Sequence, residues 1–403
     1  MEEKRKPRIL FINSVCGVGS TGRIVTELYR YLEKNGYDCL VAYGRKNAPK
    51  EIKTIKIGCI IDIYLHGVLS RLTDRHGFYS TVATKRFLRK VDKYKPDIVH
   101  LHNIHGYYIN IKMLFKYLFE NNIPVIWTLH DCWSFTGHCV AFDAADCDKW
   151  RTFCVKCPQK ETYPASFFMD SSKWNYLHKK ELFTLLNSLT IVVPSEWLKR
   201  MVKQSFLSQY DIKVIQNGID LNIFRPMEND IKTRYHIEDK TLILGVANSW
   251  TPNKGLEHFR QLAVHLGDSF QIILVGLTKK QITKLPSCIL GFQKTESIEE
   301  LVKFYSAADL FFNASVEETM GMVTIEALAC GTPVIAFNRT AIPETFDKTC
   351  GILLDSDADQ DILDAIVSGK WRAINSAVCR EYAEHFSERS KYWEYLKVFD
   401  SVR

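Results

Sequence analysis

One stretch of the sequence, residues 309–337, limits the possible folds more than any other. Two apolar runs, 309–313 and Val334–Phe337, flank a polar loop and an apolar segment that ends at the turn signal 330–333. This pattern predicts a strand, a loop, a helix and a second strand. In such a unit the loop and the first helical turn lie at the carboxyl edge of a parallel sheet. Free backbone N–H groups point outward there and favour an anionic ligand.

The same alternation of strand and helix recurs along the chain. Apolar strand patterns lie at 8–13, 97–102, 123–129, 189–194, 242–247 and 270–276, and helical patterns lie at 21–35, 110–120, 196–206 and 298–307. Alternating strands and helices predict an α/β protein with doubly wound parallel sheets. At 403 residues the chain is too long for one ordinary core. Two domains are therefore expected.

The composition is that of a globular protein, with 46% hydrophobic and 25% charged residues and no apolar run of membrane-spanning length. The charged N-terminus enters a strand directly, which predicts a cytoplasmic protein without a signal peptide. The twelve cysteines are then expected to be reduced. The net charge of +7 is mild for this length. It permits binding to acidic membranes or phosphorylated substrates without requiring either.

Two glutamates of the organising stretch, Glu318 and Glu326, are separated by seven residues. Glu318, in the loop, can accept hydrogen bonds from hydroxyls near a reacting centre, while the backbone amides of Met320, Gly321 and Met322 can donate to a phosphate. Glu326 lies one to two turns into the helix, where both carboxylate oxygens can accept from a vicinal diol such as that of ribose. An isolated pair with this spacing is usually two solvated helix residues. The surrounding residues decide between these readings.

The whole string resembles the signature of retaining, nucleotide-sugar-dependent glycosyltransferases of GT-B fold, family 4. The family pattern is E-G-F-G-hydrophobic-x-x-x-E-A-x-A-x-G-x-P-V, and the chain matches it at Glu318, Gly321, Glu326, Ala327, Ala329, Gly331, Pro333 and Val334. The branch that the chain resembles most is that of bacterial capsule and exopolysaccharide biosynthesis, of the colanic-acid type. The resemblance implies two Rossmann-like, doubly wound domains that face a cleft, with a C-terminal helix crossing back to the first domain.

The domain limits follow from the same resemblance. Segment 214–226 is similar to the family's linker, N-G-[VI]-D-x-x-x-F-x-P. The predicted parts are an acceptor-binding domain at 1–215 with a cysteine-rich insertion at 132–160, a linker at 216–226, a nucleotide-sugar-binding domain at 227–375 and a helical tail at 376–403.

The resemblance also implies roles for individual residues. His130 contacts the donor sugar, Glu318 orients it and Lys254 stabilises the leaving diphosphate, so these three are the predicted catalytic residues. Family members usually have an arginine where this chain has Ser249, which is kept among the donor-binding candidates. The reaction implied is a front-side displacement with retention, in which the departing phosphate oxygen takes the acceptor proton. Lysine and helix dipole supply positive charge, so catalysis is expected to need no cofactor.

A glycine-rich loop follows the first strand. Gly17, Gly19 and Gly22 spell G-x-G-x-x-G, which is the dinucleotide fingerprint. The next predicted strand ends in Gly44-Arg45-Lys46 and lacks the acidic residue that would hold an adenosine ribose. We interpret Gly17 and Gly19 as donor-binding positions of a glycine-rich GT-B loop, where backbone must approach the diphosphate closely. A nicotinamide oxidoreductase is the alternative.

The candidate acceptor-side residues are His102, Asn103 and His105, which close the strand at 97–102. For the two histidines, the ordinary alternative is burial with a satisfied hydrogen bond. Segment 60–95 mixes apolar, aromatic and basic residues, which suits contact with anionic lipid heads or a lipid-linked diphosphate. A solvated face over core helices is an equal alternative.

Four of the five cysteines in the predicted insertion, Cys139, Cys147, Cys154 and Cys157, are candidate metal ligands. The segment is polar and loop-like, and the count suits a closed tetrahedral zinc site. The spacings match no standard zinc finger, so unpaired cysteines are the alternative. A structural zinc that holds an acceptor-side loop is therefore a hypothesis.

The expected partners are an NDP-sugar donor and a polyprenyl-diphosphate-linked saccharide acceptor, with peripheral association at the inner face of the cytoplasmic membrane and no nucleic acid. Two further alternatives share the scaffold. One is a GT-B sugar-nucleotide epimerase or phosphorylase, and the other is a protein that binds a nucleotide sugar without turning it over. The donor base, the sugar and the linkage depend on a few loop contacts that the fold does not determine.

Overall fold

The structure, a computed structural model, describes residues 6–402. The charged segment 1–5, on which the expectation of no signal peptide partly rests, and the last residue of the predicted tail lie outside the described residues. The chain forms two compact units. The first ends at Ile215 and includes the chain again from Tyr392, and the second spans Gln216–Lys391. Within 6–402 no helix has both the length and the apolar composition needed to cross a membrane.

The first unit is built on a parallel sheet. Its strands are β1 (Arg8–Val15), β2 (Asp38–Arg45), β3 (Thr54–Lys56), β4 (Ile98–Leu101), β5 (Val125–Thr128), β6 (Leu189–Val193) and β7 (Asp211–Val214). Its helices are α1 (Gly19–Lys34), α2 (Ile60–Thr73), α3 (Thr81–Tyr94), α4 (Ile111–Glu120), α5 (Ser172–Phe183) and α6 (Glu196–Lys203). The strand order is β3-β2-β1-β4-β5-β6-β7. The order therefore reverses between β1 and β4, which is where doubly wound sheets bind ligands.

The second unit repeats this plan. Its strands are β8 (Thr241–Val246), β9 (Phe270–Val275), β10 (Ile289–Phe292), β11 (Leu310–Asn313), β12 (Val334–Phe337) and β13 (Gly351–Leu354). Its helices are α7 (Ile231–Arg234), α8 (Leu256–His265), α9 (Lys279–Ile282), α10 (Ile298–Ala307), α11 (Met322–Ala329), α12 (Asp359–Val367) and α13 (Ser376–Ala383). The order β10-β9-β8-β11-β12-β13 reverses between β8 and β11. A last helix, α14 (Glu388–Ser401), begins in this unit and ends in the first.

These elements confirm the predicted fold class. Each strand predicted from its apolar run forms within about two residues of its predicted limits, and all pairings in both sheets are parallel. Strands β4, β5, β11 and β12 are buried at every residue. Helices cover both faces of such a sheet, which is why the strands read as continuous apolar runs instead of alternating ones.

The end of the chain completes the core of the first unit. Tyr392, Tyr395 and Phe399 of α14 pack in one buried cluster with residues of β1, β2, β4, β5 and β6. The hydroxyl of Tyr395 hydrogen-bonds to Thr128 Oγ1 at 3.1 Å. The predicted tail, 376–403, is thus divided, because its residues up to Lys391 belong to the second unit and its residues from Tyr392 belong to the first.

Two glycines of the second unit offer a test of how closely the chain after β9 packs against the chain after β8. Gly276 has a φ of +101°, and a Cβ there would lie 1.6 Å from the carbonyl oxygen of Ala247. Gly267 has open space around its Cα. We expect Gly276→Ala to destabilise the second unit by about 3 kcal/mol or more, because the β8 and β9 chain ends must move apart. Gly267→Ala should change stability by less than about 0.5 kcal/mol. Urea unfolding midpoints measure both, and equal midpoints for the two variants would contradict the packing described.

Candidate functional site

Two loops meet where the strand order of the second sheet reverses. Strands β8 and β11 are direct neighbours, with Leu310 opposite Ile243 and Phe311 opposite Leu244. The chain after β8 forms loop 247–255, and the chain after β11 forms loop 314–321. Because the strands are parallel, both loops emerge at the same edge of the sheet. This edge is the expected ligand-binding position in an open α/β sheet.

The two loops are in direct backbone contact. Gly255 adopts a φ of +70°, and a Cβ at this position would lie 2.2 Å from the carbonyl oxygen of Ala314. The amide of Val316 donates to the carbonyl of Asn253 at 3.0 Å. Only glycine combines this conformation with this approach at low cost. Residue 254 is therefore held against the loop that carries Glu318.

Lys254 and Glu318, both predicted catalytic residues, form an ion pair. The ammonium of Lys254 donates to Oε1 of Glu318, and the side chains remain 27% and 15% exposed. The backbone of Glu318 is fixed separately, because its N–H donates to Oγ1 of Thr340 at 3.0 Å. A pair with this exposure contributes at most about 1 kcal/mol. Its lysine can therefore exchange the carboxylate for another anion at little cost.

The N-terminus of α11 lies in the same loop. Gly321 precedes the helix with a φ of +83°, and the helix begins at Met322. The hydroxyl of Thr324 accepts from the side-chain amide of Asn313 at 2.9 Å, which anchors the first turn to the end of β11. The first backbone N–H groups of a helix lack intrahelical acceptors and carry partial positive charge. The predicted phosphate-binding amides from Met320 to Met322 therefore belong to a helix N-terminus at the sheet edge.

Glu326 is more enclosed than the sequence suggested. Its side chain belongs to the buried face of α11, with the residue 8% exposed, and the hydroxyl of Tyr305 donates to its Oε2 at 2.9 Å. Tyr305 is fully buried on α10, and its own carbonyl accepts from Thr332. The spacing of Tyr305 among the apolar residues of α10 is that of an ordinary core position, so no sequence signal marks it as a site residue. The structure shows that it orients the carboxylate predicted to hold ribose.

Ser249 lies on the exposed part of loop 247–255. Its carbonyl accepts from the amide of Thr251 at 3.0 Å. The side chain of Ser249 is short and neutral, so this position does not supply the positive charge that the arginine of other family members provides. The ligand-binding role predicted for Ser249 stays a prediction.

In the first unit, the glycine-rich loop needs its glycines for conformation. Gly17 and Gly19 have φ values of +73° and +69°, and a Cβ on Gly17 would lie 2.5 Å from Pro49. The amide of Gly17 donates to the carbonyl of Gly22 at 3.1 Å. The neighbouring strand β2 ends at Arg45, a basic residue where a nicotinamide site would need an acidic one. Whether Gly17 and Gly19 bind a donor stays a prediction.

The candidate acceptor-side residues and His130 surround one small cavity of about 10 Å³, which is room for about one water molecule. It is lined by His102, Asn103, Ile104, His105, Trp127, Leu129, His130, Asp131, Trp133 and Ser134. His102 Nδ1 and His130 Nε2 share a hydrogen bond of 2.9 Å, and their rings stack. His105 Nε2 donates to Asp131 Oδ2 at 2.8 Å. The structure therefore brings together residues from the ends of β4 and β5.

Burial keeps three histidines at the ends of β4 and β5 neutral. Desolvation lowers the pKa of His130 to about 4, although the charge of Asp131 opposes the shift. Desolvation, with the neighbouring histidines, also lowers the pKa of His100 and His102 well below the usual value. Burial raises the pKa of Asp131, but His105 and the amide of Trp133 outweigh burial, so the pKa of this carboxyl is lowered overall. At physiological pH one carboxylate therefore lies beside the neutral imidazoles of His100, His102 and His130.

Four cysteines of the insertion line another small cavity, also of about 10 Å³. A hydrogen bond from Cys139 lowers the pKa of Cys157 to about 7, and the same bond, together with burial, raises the pKa of Cys139. Burial raises the pKa of Cys154 to about 12. Across residues 6–402, no group of three or more His, Cys, Asp and Glu side chains already has the spacing of a bound metal ion.

Comparisons with known proteins agree with this geometry. The model of Glycosyltransferase Family 4 matches residues 21–223, and that of Glycosyl transferases group 1 matches residues 240–368. Sucrose-phosphate synthase from Thermosynechococcus elongatus superposes with a TM-score of 0.74 at 16% identity, covering 98% of this chain and 99% of that one. HepE from Anabaena, solved in complex with UDP and glucose, gives 0.70 at 15% identity, covering 98% and 100%.

The fold and the matched family models define a glycosyltransferase of GT-B fold. The chain belongs to glycosyltransferase family 4. Among curated proteins, it is 26% identical over 405 residues to WcaC of Escherichia coli K12, which is named for a glycosyl transferase of colanic acid biosynthesis, with 95% of each chain covered. It is also 26% identical over 226 residues to the lipopolysaccharide 1,2-N-acetylglucosaminetransferase of Salmonella typhimurium, covering 51% of this chain and 57% of that one.

The neutral histidines predict that the first unit is sensitive to acid. Their folded-state pKa values lie below the ordinary value near 6.5, so below that pH the unfolded chain takes up protons that the folded chain does not. The free energy of unfolding should therefore fall as pH drops from about 7 to 5, by roughly 1 kcal/mol per pH unit for each such histidine. Urea midpoints measured across this range test the slope.

Two variants test whether buried histidines cause the dependence of the unfolding free energy on pH. His100→Asn removes a buried imidazole that bonds to Thr128 and should flatten the pH dependence. His265→Gln changes an exposed histidine of α8 and should leave it unchanged. An identical slope in wild type and His100→Asn would show that the imidazole is not neutral in the folded chain.

Proposed function

We propose that this glycosyltransferase transfers a sugar, with retention of configuration, from a UDP- or GDP-linked donor to a lipid-linked saccharide in surface polysaccharide biosynthesis. The observation that carries the proposal is the meeting of three features at one sheet edge: the Lys254–Glu318 ion pair, the N-terminus of α11 and the oriented carboxylate of Glu326. A cation and a helix N-terminus suit a diphosphate, and a carboxylate suits a ribose diol.

The charges explain how a diphosphate would be held. Lys254 and the α11 N-terminus are both positive, and in the unliganded chain Glu318 is the anion beside the lysine. A donor diphosphate would replace the carboxylate as the counterion of Lys254. Glu318 would then be free to accept hydrogen bonds from the sugar. Electrostatic stabilisation of the departing phosphate by groups already in place is the largest effect that such a site can supply.

The reaction that follows is a front-side displacement. The bond between C1 of the sugar and the phosphate oxygen breaks, while the bond between C1 and the acceptor oxygen forms on the same face. The departing phosphate oxygen takes the acceptor proton, so no separate enzymatic base is required. Lys254 and the helix N-terminus balance the charge on the phosphate, and we propose that catalysis needs no metal. His130, as a neutral imidazole, is assigned a hydrogen bond to a sugar hydroxyl.

Relatives support the substrate class. WcaC is named for colanic acid biosynthesis, and the Salmonella relative is named for a transfer onto lipopolysaccharide. HepE has been solved with UDP-glucose, with a TM-score of 0.68 to this chain. These names favour a nucleotide-sugar donor and a surface glycolipid acceptor for this chain.

Thermal stabilisation by nucleotides tests the donor site directly. Wild type should be stabilised by one of UDP, GDP, UDP-hexoses or GDP-hexoses, by about 2.7 kcal/mol at a hundred times Kd. Glu326→Gln should abolish most of the shift, because an amide cannot accept from both ribose hydroxyls. Lys254→Ala should weaken binding by about tenfold or more, because it removes a charge-assisted contact.

Glu299→Gln, on the exposed face of α10, is the matched control and should bind like wild type. A shift with NAD alone would contradict the proposal in favour of an oxidoreductase. Stabilisation without transfer to any glycolipid acceptor would favour a nucleotide-sugar-binding protein, and a requirement for free phosphate or free sugar would indicate a phosphorylase or an epimerase.

Helix α2 supports the proposed membrane association, because it buries polar and small residues and exposes its apolar ones. The residues that it buries are His66, Gly67 and Ser70, whereas its outer face exposes Ile60, Ile61, Tyr64, Leu65, Leu69 and Leu72. Tyr64 is 71% exposed. The amide of Phe167 donates to the carbonyl of Arg71, which places the exposed Phe167, Phe168 and Met169 beside the end of the helix. We name these apolar residues of α2 and 167–169 the α2 surface.

Basic residues flank the α2 surface. Helix α3 lies close to the segment just before α2, since a Cβ on Gly58 would lie 3.1 Å from Ala83. Its outward positions are Lys85, Arg86, Arg89, Lys90 and Lys93. Exposed apolar side chains beside clustered cations suit the boundary of an anionic bilayer, where each cation contributes about 1 kcal/mol. We propose this bilayer as the occupant of the α2 surface.

Vesicle flotation tests this surface with phosphatidylglycerol-containing and neutral vesicles. Arg86→Glu with Arg89→Glu should reduce binding to anionic vesicles by about tenfold or more. Tyr64→Ser with Leu65→Ser should reduce binding to a similar extent by removing apolar contact. Arg200→Glu with Lys203→Glu reverses two exposed charges of α6 and should bind like wild type. Unchanged flotation of the first two variants would rule out the α2 surface, and concentration-dependent self-association lost with Tyr64→Ser would identify a protein partner instead.

A further inference from the structure

A cavity in the cysteine-rich segment, which no feature of the proposed donor site uses, gathers four of the five thiols of the segment. It is lined by His138, Cys139, Phe142, Cys147, Lys149, Trp150, Cys154, Val155, Cys157, Pro158 and Ser172. The thiols come from separated turns of an irregular segment whose regular pieces are short 3-10 turns. A segment of this kind has little backbone pairing to hold it. Some other interaction must fix the four side chains around one point.

Two contacts already tie the thiols to each other and to the backbone. Cys139 donates to the sulfur of Cys157. The amide of Gly137 donates to Cys154 Sγ at 3.2 Å. This backbone N–H favours the thiolate of Cys154, although burial outweighs it in the metal-free chain and raises the pKa of the thiol. The thiolate is the form that binds zinc.

Two buried nitrogen-bearing side chains lie around the cavity. His138 is buried, its Nδ1 donates to Asp74, and its Nε2 has no hydrogen-bond partner among the described residues. The imidazole is thus oriented by a carboxylate, with the lone pair of its other nitrogen unused. The ammonium of Lys179 is buried and donates to the carbonyls of Trp133 and Thr136 instead of to a carboxylate. Its charge interacts with Cys139, Cys154, Asp131 and Asp74.

We infer that Cys139, Cys147, Cys154 and Cys157 hold a structural zinc ion as thiolates, with the imidazole of His138 beside them. Four thiolates around one zinc carry a net charge of −2. The ammonium of Lys179 balances part of this charge. The cavity of about 10 Å³ is of the size of one ion. Because the thiols do not yet have the spacing of a bound metal, binding would draw them inward to about 2.3 Å from the zinc.

The zinc would act on Asp131 and His130 of the first unit through the start of the same segment. The amide of Cys132 donates to the carbonyl of Val140 at 2.9 Å, and the amide of Trp133 donates to Asp131 Oδ1 at 2.9 Å. Asp131 in turn binds His105. Fixing Cys139 therefore fixes the chain that positions Asp131 and the adjacent His130. The four cysteines are positioning residues and not catalytic ones.

Metal analysis of the purified full-length chain tests the site. The chain, expressed with zinc in the medium and purified with a reductant but without chelator, should contain about one zinc per molecule by mass spectrometry. Removal by a strong chelator should lower Tm by about 5 °C or more. Adding Co²⁺ to the metal-free chain should give the visible bands of tetrahedral thiolate coordination.

Single variants identify the ligands. Cys154→Ser and Cys147→Ser should each lose the zinc, while Cys288→Ser, which changes an exposed cysteine of the second unit, should retain it. His138→Gln should retain zinc with weaker affinity. If Cys147→Ser kept the metal and His138→Gln lost it, the four-cysteine set would be wrong. UDP-induced stabilisation of each variant shows whether the second unit is folded, so that loss of metal is not confused with loss of structure.

Two results would overturn the inference altogether. One is a folded wild-type chain with less than about a tenth of a zinc per molecule and no cobalt bands. The other is a Cys139–Cys157 disulfide in the chain purified under mild reduction, detected by mass spectrometry as two fewer alkylatable thiols.

Discussion

The contact between Gly255 and the carbonyl of Ala314 is the constraint on which the glycosyl-transfer site depends. Parallel strands β8 and β11 deliver two loops to one edge of the sheet, but adjacency alone does not bring side chains within hydrogen-bonding distance. The missing Cβ at Gly255 lets the backbones touch, and the ammonium of Lys254 then reaches Glu318. The N-terminus of α11 follows three residues later. Two positive groups are therefore fixed close together, with one carboxylate between them as counterion.

In the first unit the main constraint is the burial of polar side chains away from water. His100, His102 and His130 lie in or beside the core under β4 and β5, where a charged imidazole would be costly. His100 bonds to Thr128, and His102 bonds to His130, so one ring nitrogen of each finds a partner without a charge. Asp131 stays ionised because His105 and a backbone amide bind it. A neutral His130 can donate or accept a hydrogen bond without adding a charge to this group.

The fold was predictable from the sequence because parallel strands buried on both faces are continuous apolar runs, and β11 and β12 are clear examples. The polar residues of the site were predictable where they follow such strands, as Glu318 and His130 do. Their supporting contacts were not. Tyr305 binds Glu326 from a helix whose spacing is that of ordinary core, and Thr340 binds Glu318 from 22 residues away. No local pattern signals a hydrogen bond between distant turns, so such partners appear only once the chain is folded.

Helix α2 shows a further limit of prediction from sequence. Hydrophobic periodicity identifies the apolar face of a helix but does not determine whether that face is buried or exposed. The apolar side of α2 would ordinarily be assigned to the core. The structure turns it outward because the opposite side carries its own polar contacts: His66 bonds Ser80 Oγ at 2.7 Å and accepts from the amide of Gly77 at 3.2 Å. Reversing the helix would break both bonds and leave the buried amide of Gly77 and the hydroxyl of Ser80 without these partners. The outward apolar face is therefore a consequence of how His66 is satisfied, and its exposure is built into the fold.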